Sequence, residues 1–238
     1  MKLVNPYTAR RKQMVLEQIA ARGVHDARVL DAMRKVAREE FVPAHLRDLA
    51  YADRPLPIGE GQTISQPYIV AAMTEALGLQ GGENVLEIGT GSGYAAAVLS
   101  FIAREVHTIE RIPALAQQAR ATLRRLGYDT VHVMECDGTV GWPGAAPYDA
   151  IVVTAEGPRV PPTLLAQLKP GGRLVMPLSE SNLEQVLVRV TRSTGEGDKT
   201  EKLYPVRFVP LIGVEGWSPD ERSSIDRTRA IGPICKAG

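Results

Sequence analysis

In the stretch VLEIGTGSGY, a short apolar strand is followed by three alternating glycines. Gly89, Gly91 and Gly93 occupy the turn from this strand, residues 85–88, into the next predicted helix. Glycine lacks a side chain, so the backbone of such a turn can adopt positive φ angles and approach a bound molecule closely. The pattern predicts a ligand site at the end of the strand.

A carboxylate follows at the distance that a nucleoside site requires. Glu110 ends the next predicted strand, VHTIE, about 20 residues after Gly89. At that strand end a carboxylate can accept hydrogen bonds from both hydroxyls of a ribose. Tight turns need glycine with or without a ligand, but the combination with Glu110 indicates a nucleoside.

The third predicted strand ends in the sequence CDG, which contains Asp137 and Gly138. An acid here can accept a hydrogen bond from the exocyclic amine of adenine, and the glycine leaves room for the ring. Asp-Gly is also an ordinary turn sequence. Because Glu110 and the glycine turn are present as well, we favour the adenine role.

The type of nucleoside is narrowed by one residue. Dinucleotide sites have a further glycine at the position that Tyr94 occupies here, so the pattern for a pyrophosphate is incomplete. A nucleoside without phosphates fits better. S-adenosyl-L-methionine is the commonest such cofactor on the architecture predicted below.

Alternating strands and helices must position these residues. From residue 83 onward, short apolar segments alternate with segments of helical periodicity, which predicts an α/β fold with a doubly wound, mostly parallel sheet. Two later strand candidates, LEQVLVRVTR and KLYPVRFVPLIG, have no helix between them and are expected to form an antiparallel C-terminal edge.

Three regions are expected along the chain. Residues 1–80 form a helical addition that includes a Pro- and Gly-rich loop, DRPLPIGEGQTIS. Residues 81–217 form the cofactor-binding core. Residues 218–238 form a polar tail with little apolar content, which we expect to be partly disordered.

Composition excludes several classes of function. The net charge of +1 and the pI of about 7.8 favour neither nucleic acid nor an anionic membrane as a partner. Cys136 and Cys235 are too few for a disulfide framework or a zinc site, so no metal is expected. Without a secretory signal or a run of about 18 apolar residues, we expect a cytoplasmic protein. We also expect a monomer.

The segment GEGQTISQPYIVAAMTEALGL precedes the core and ends in an amphipathic helix. Ser65 is a suitable N-cap, Pro67 suits a first helical turn and Gly78 a helix end. From these residues alone, two interpretations are equally good: the residues only mark the start and end of a helix, or they belong to a functional loop.

With these pieces assembled, residues 10–217 resemble the protein-L-isoaspartate (D-aspartate) O-methyltransferases. The most specific block is YADRPLPIGEGQTISQPYIVAAMTE, which matches the signature of that family almost unbroken. VLEIGTGSGY, the pair Glu110–Arg111, APYDAIVVTA, QLKPGGRLVMP and VRFVPLIG follow in the order of the family. The glycine turn is shared by many methyltransferases, whereas GQTISQP is not.

The resemblance implies a Rossmann-like fold dependent on S-adenosyl-L-methionine and methyl transfer to the free α-carboxylate of L-isoaspartyl residues in damaged proteins. D-aspartyl residues, or normal aspartate in a dedicated peptide, remain open as acceptors. The methyl ester would cyclise to a succinimide. The resemblance makes Ser65 the active-site serine, and no general base is needed because the acceptor is already ionised at neutral pH. The residues expected to bind the cofactor are Gln62, Thr63, Gly89, Thr90, Gly91, Ser92, Gly93, Glu110, Arg111, Asp137 and Gly138.

Three features depart from the family pattern. Cys136 stands where glycine is usual, and Glu156 stands where alanine is frequent. We expect the charge of Glu156 to lie near the substrate groove and to alter peptide preference. Leu56, Pro57 and Ile64 either line that groove or pack in the core. The tail beyond Trp217 is longer than the resemblance suggests.

Two rival functions can be stated. A nucleic-acid methyltransferase of the amino-methylating kind would carry an Asn/Asp-Pro-Pro-Tyr-like loop after the fourth core strand, where this chain has TAEGP. A cytosine C5 enzyme would need a Pro-Cys nucleophile, which GPICKAG does not provide. A protein that only binds S-adenosyl-L-methionine as a regulatory module is the second rival, and the intact segment around Ser65 argues against it.

Overall fold

The computed structural model describes residues 6–180, 184–195, 197–218 and 220–221. Helices dominate the first third of the chain, as predicted. The helices are α1 (Pro6–Gln13), α2 (Ala27–Lys35), α3 (Pro67–Leu77), α4 (Tyr94–Leu99), α5 (Pro113–Arg125) and α6 (Pro162–Gln167), with a π-helical turn at Met14–Ile19 and 3₁₀ turns at Ala20–Arg22, Arg38–Phe41, Ala44–Leu49, Gly138–Val140 and Pro143–Ala145.

Nine strands are present in the described part of the chain. They are β1 (Leu56–Gly59), β2 (Gln62–Ile64), β3 (Asn84–Ile88), β4 (Glu105–Glu110), β5 (Val131–Glu135), β6 (Tyr148–Val153), β7 (Leu168–Ser179), β8 (Gln185–Thr191) and β9 (Lys199–Val206). Seven of them form one sheet in the order β5-β4-β3-β6-β7-β8-β9. β3 to β7 are parallel, and β8 and β9 continue the sheet antiparallel, which confirms the predicted fold class.

Strand alternation divides the core between the two faces of the sheet. Val85 and Val152 face the cluster built by α2, α3 and α4, whereas Leu86 and Ile151 face the cluster that contains Leu164 of α6. The strand order reverses between β4-β3 and β3-β6, because β3 pairs with both β4 and β6. In a doubly wound sheet this point, at the carboxyl ends of the strands, is where ligands bind.

The predicted Pro- and Gly-rich loop is in part a β-hairpin, so that expectation was wrong for β1 and β2. These strands pair antiparallel with Leu56 opposite Ile64. The turn between them uses positive φ angles at Gly59, Glu60 and Gly61. Strands of four and three residues are too short to produce a clear alternation of apolar and polar residues in the sequence, and the turn residues dominate the pattern.

Leu56 and Ile64 of this hairpin belong to the core, and Pro57 is exposed. The core-packing alternative therefore holds for the two aliphatic side chains. Leu211 belongs to the core and its carbonyl accepts a hydrogen bond from the Trp217 N–H, whereas the predicted tail of 218–238 lies mostly outside the described residues. Within the described ranges, no helix has the length and apolar character needed to cross a bilayer.

Candidate active site

Three adjoining cavities lie at the carboxyl ends of β3, β4 and β6. The outer cleft is bordered by Gly89, Glu110, Gly138 and Leu211 among others. The inner cavity is lined among others by Ser65, Met73, Tyr94 and Leu99. The open groove is lined among others by Arg22, Tyr68, Tyr204 and Arg207.

Thr63 and Thr154 line all three cavities, and Ser65 lines both the inner cavity and the open groove. Any molecule in one cavity is therefore close to molecules in the other two at these side chains. The arrangement suits a reaction between a ligand held in the outer cleft and inner cavity and a second one in the groove.

The glycine turn shapes the boundary between the outer cleft and the inner cavity. Gly89 has a φ of +97°, and a Cβ atom added to it would lie 2.4 Å from the Thr154 hydroxyl. Gly91 has a φ of +52° and lines both cavities. Gly93 lines none of the three and begins α4, where a Cβ atom would lie 3.1 Å from Leu123 Cδ1, so its contact with the cofactor stays a prediction.

Glu110 joins the glycine turn to the end of β4. Its Oε2 accepts a hydrogen bond from the Gly91 N–H at 2.9 Å, and its Oε1 accepts one from the Ile112 N–H at 2.9 Å. The residue is 6% exposed and lines the outer cleft. A carboxylate has about four acceptor positions, so two remain, one on each oxygen, for the two hydroxyls of a ribose.

Asp137 and Gly138 lie at the end of β5. A Cβ atom at Gly138 would lie 2.5 Å from Ile88 Cγ2, so only glycine fits this wall of the outer cleft. The Asp137 carboxylate accepts hydrogen bonds from Thr139 N at 2.8 Å, Thr139 Oγ1 at 2.7 Å and Val214 N at 2.8 Å. The turn role is thus observed, and the adenine role of Asp137 stays a prediction.

The remaining residues predicted to bind the cofactor are divided between the outer cleft and the inner cavity. Gln62 and Arg111 line the outer cleft, and the Arg111 side chain is exposed. Thr90 and Ser92 line the inner cavity. Gly93 aside, the glycine turn and its neighbours therefore converge as the sequence predicted.

Ser65 is fixed from behind by a buried cation that the sequence analysis missed. Arg38 has no exposed surface, donates from Nη2 to the Ser65 carbonyl at 2.7 Å and from Nε to the Ala50 carbonyl at 2.7 Å. Its guanidinium lies 4.7 Å from the centre of the Tyr94 ring. Burial lowers the pKa of Arg38 to about 10. Nothing in the local sequence distinguishes Arg38 from the exposed arginines nearby.

Ser65 does not cap α3, so the N-cap interpretation of this residue was wrong. The N-cap is Gln66, whose side chain makes no capping hydrogen bond, and Pro67 begins the helix as predicted. The chain is still extended at Gln66, so Ser65 lies one residue too early. Among the described residues its hydroxyl makes no hydrogen bond, which leaves it available to a ligand.

Comparison with known proteins decides the family. The model of the family described as protein-L-isoaspartate(D-aspartate) O-methyltransferase (PCMT) matches residues 9–216. The chain belongs to this family.

Individual relatives agree with the family match. A protein-L-isoaspartate O-methyltransferase of Rhodopseudomonas palustris strain CGA009 is 65% identical over 209 residues, 87% of this chain and 95% of the relative. Another from strain HaA2 is 62% identical over 212 residues, 89% of this chain and 86% of the relative.

Solved structures agree with the observed fold. A protein-L-isoaspartate O-methyltransferase superimposes with a TM-score of 0.78 at 29% identity, covering 94% of this chain and 71% of that one. A Plasmodium falciparum protein, described as a putative enzyme of this kind in complex with S-adenosyl-L-homocysteine, has a TM-score of 0.72 at 24% identity over 85% of this chain and 98% of that one. The second likeness supports the fold alone.

The structure shows where two of the departures from the family pattern lie in this methyltransferase. The Glu156 side chain is 1% exposed and accepts hydrogen bonds from Trp217 and Gln185, so it lies behind the residues that line the open groove. Its effect on peptide preference stays a prediction. Residue 156 lies at a crossing of two chain segments, which a local pattern does not reveal. Cys136 has an exposed thiol and lies outside the residues that line the outer cleft.

Thr154 is the functional candidate that sequence reasoning missed. Its hydroxyl lies 2.8 Å from the Gly89 carbonyl oxygen and 3.0 Å from that of Ile88, so it fixes the start of the glycine turn. The signal was available, because Thr154 directly follows β6 at the carboxyl edge where ligands bind.

A chain of hydroxyls beneath the glycine turn ends at a buried acid. The Glu87 carboxyl, fully buried, accepts from Thr108 Oγ1 at 2.5 Å, and that hydroxyl lies 2.7 Å from Thr90 Oγ1. Glu87 Oε1 has no partner in the described residues. Burial raises the pKa of Glu87 from 4.5 to about 8, and the nearby Glu110 adds to the effect.

Glu87→Gln is expected to change how stability depends on pH. Because the pKa of Glu87 is higher in the folded state, its contribution to stability is complete below about pH 4.5 and is lost as the pH rises towards 8. Glutamine is neutral throughout, so the free energy of unfolding of the wild type should fall relative to that of the variant, by at most about 1.4 kcal/mol per pH unit. Urea denaturation at pH 5, 6.5 and 8 measures this, and parallel curves for the two proteins would contradict it.

Proposed function

We propose that methyl transfer takes place where the three cavities meet, with Ser65 orienting the acceptor. The protein is an S-adenosyl-L-methionine-dependent repair methyltransferase that esterifies L-isoaspartyl residues of damaged proteins. The observation that carries the location is that Ser65 lines both the inner cavity and the open groove, with its hydroxyl unengaged by the described residues.

The residues that line the outer cleft fit the cofactor. Glu110 retains two acceptor positions for the ribose hydroxyls, and Gly138 leaves space that any larger residue would fill. Ile88, Ile109 and Leu211 supply apolar surface in the same cleft. When bound, S-adenosyl-L-methionine supplies an electrophilic methyl group on its sulfonium. Gln62, Thr63 and the glycine turn would hold it across the outer cleft and inner cavity.

The protein's own task is to orient the acceptor and to exclude water. An α-carboxylate with a pKa near 3–4 is ionised at neutral pH, so no side chain has to remove a proton. Ser65 Oγ can donate to one carboxylate oxygen and thereby direct the other towards the inner cavity. The ester that forms cyclises when the next backbone nitrogen displaces methanol. Hydrolysis of this succinimide returns some normal aspartate.

Paired peptides that differ only in Asp or isoAsp test the acceptor. We expect kcat/KM for the isoaspartyl peptide to be at least about tenfold higher than for the Asp peptide. The isoaspartyl residue has a free α-carboxylate within the chain, whereas the normal Asp residue has a free β-carboxylate. The rate should change little with pH above 6, since the acceptor is already ionised. A D-aspartyl peptide forms a third arm of the same assay.

Other outcomes of that assay identify the rivals. A preference for the Asp peptide would indicate a dedicated peptide substrate. An absence of turnover on all peptides, with tight binding of S-adenosyl-L-homocysteine, would indicate a binding module.

The finer choices of partner also belong to this proposal. We propose that the protein acts as a monomer in the cytoplasm and has no nucleic-acid substrate, which the net charge of +1 supports. Light scattering measures the first property. A gel-shift assay at low salt measures the last, and retention that disappears with added salt would contradict it.

A further inference from the structure

One wall of the outer cleft is made by a chain segment without regular structure. This wall segment, residues 208–212, follows the end of β9 at Val206. Four of its residues, 209–212, line the outer cleft, and 208–210 line the open groove. The wall segment therefore borders both the proposed cofactor site and the proposed acceptor site.

The wall segment is held by neighbours that are distant in sequence. The Glu156 N–H donates to the Val209 carbonyl at 2.8 Å, and the Leu211 N–H donates to the Glu156 carbonyl at 2.6 Å. At the other end, the Gln185 amide accepts from Phe208 N at 2.5 Å and donates to Phe208 O at 3.2 Å. These bonds place the backbone of the wall segment like an additional short strand.

The Glu156 side chain connects the two ends of this arrangement. Its Oε1 accepts from Trp217 Nε1 at 3.0 Å, and its Oε2 accepts from Gln185 Nε2 at 3.3 Å. The Trp217 N–H in turn donates to the Leu211 carbonyl at 2.8 Å. One carboxylate, 1% exposed, thus links the residue that holds Phe208 with the residue that holds Leu211.

We propose that Glu156 is a positioning residue for cofactor binding, acting through Trp217 and Gln185 on the wall segment. Hydrogen bonds to a buried carboxylate are among the stronger ones in proteins. Removing the acceptor leaves Trp217 Nε1 without its partner and leaves Gln185 Nε2 with only the Phe208 carbonyl. The inference rests on the proposed function for the identity of the ligand. Its test uses S-adenosyl-L-homocysteine, whose binding needs no acceptor peptide.

The experiment compares four variants by calorimetry with S-adenosyl-L-homocysteine. Glu156→Ala is expected to weaken binding at least about tenfold. Trp217→Phe, which keeps the ring but removes the donor, should weaken it several-fold, and the double variant should be no weaker than Glu156→Ala alone. Glu156→Gln keeps an oxygen that can accept from Trp217 and should recover most of the affinity. Trp142→Phe is the control, because Trp142 lines none of the three cavities.

The outcomes separate positioning from a general loss of stability. If Glu156→Ala fails to fold, Trp217→Phe and Glu156→Gln still decide the question. Unchanged affinity in folded Glu156→Ala or Trp217→Phe overturns the proposal, as do fully additive losses in the double variant. A wild type that does not bind S-adenosyl-L-homocysteine contradicts the proposed function, whereas an active wild type with unaffected variants contradicts only the role of Glu156.

Discussion

Ser65→Ala is expected to lower kcat/KM for an isoaspartyl peptide by about 100-fold or more, the cost typical of losing one well-placed hydrogen-bond donor in an active site. The hydroxyl has no hydrogen bond to the described residues, and its backbone is fixed by Arg38, so the side chain is pre-positioned for the acceptor. The dissociation constant for S-adenosyl-L-homocysteine should change by less than about threefold, because Glu110 and the glycine turn are untouched.

Stability provides the second half of this test. Since Ser65 does not cap α3, its replacement should change the free energy of unfolding by no more than about 0.5 kcal/mol. Ser100→Ala is the matched control, because the Ser100 hydroxyl donates to the Ala97 carbonyl at 2.9 Å and Ser100 lines none of the three cavities. Full activity of Ser65→Ala together with a lower melting temperature would reject the catalytic role.

Glu110→Ala is expected to weaken binding of S-adenosyl-L-homocysteine by at least about 100-fold. The substitution removes the acceptor for the ribose hydroxyls and also the acceptor for the N–H groups of Gly91 and Ile112. The glycine turn would then lose its link to the end of β4. Both losses act on the same cleft, so the effect should exceed that of one lost hydrogen bond.

The same strand supplies the control for this prediction. Glu105 begins β4, at the opposite end of the strand from Glu110 and the outer cleft. Its Oε2 lies 2.6 Å from Nε2 of the exposed His132. Glu105→Ala should therefore leave the affinity unchanged. Glu110→Gln keeps one oxygen for one of the two N–H groups and should give an intermediate affinity. Calorimetry that finds wild-type affinity for Glu110→Ala would remove Glu110 from the cofactor site.

The sequence by itself determined the fold class and predicted many of the residues that the structure brings together at the candidate site. The glycine turn, Glu110 at the next strand end and Gly138 after the third strand are local features whose spacing is set by the strand-helix-strand unit. The alternation of apolar strands with helices specified the doubly wound sheet, and the absence of a helix between the last two strands specified the antiparallel edge. Ser65 came from a continuous segment that resembled one family closely.

The tertiary structure alone decided which polar residues are paired and which are free. The partners of Arg38, Thr154 and Glu156 lie 12 to 66 positions away in the sequence, so no local pattern predicts them. Ser65 looked like a helix cap, and only the extended backbone at Gln66 showed that it is not. Periodicity reports which side of an element is buried, because that depends on neighbours three or four positions away. Hydrogen-bond partners come from distant segments, whose meeting is fixed only when the whole chain packs.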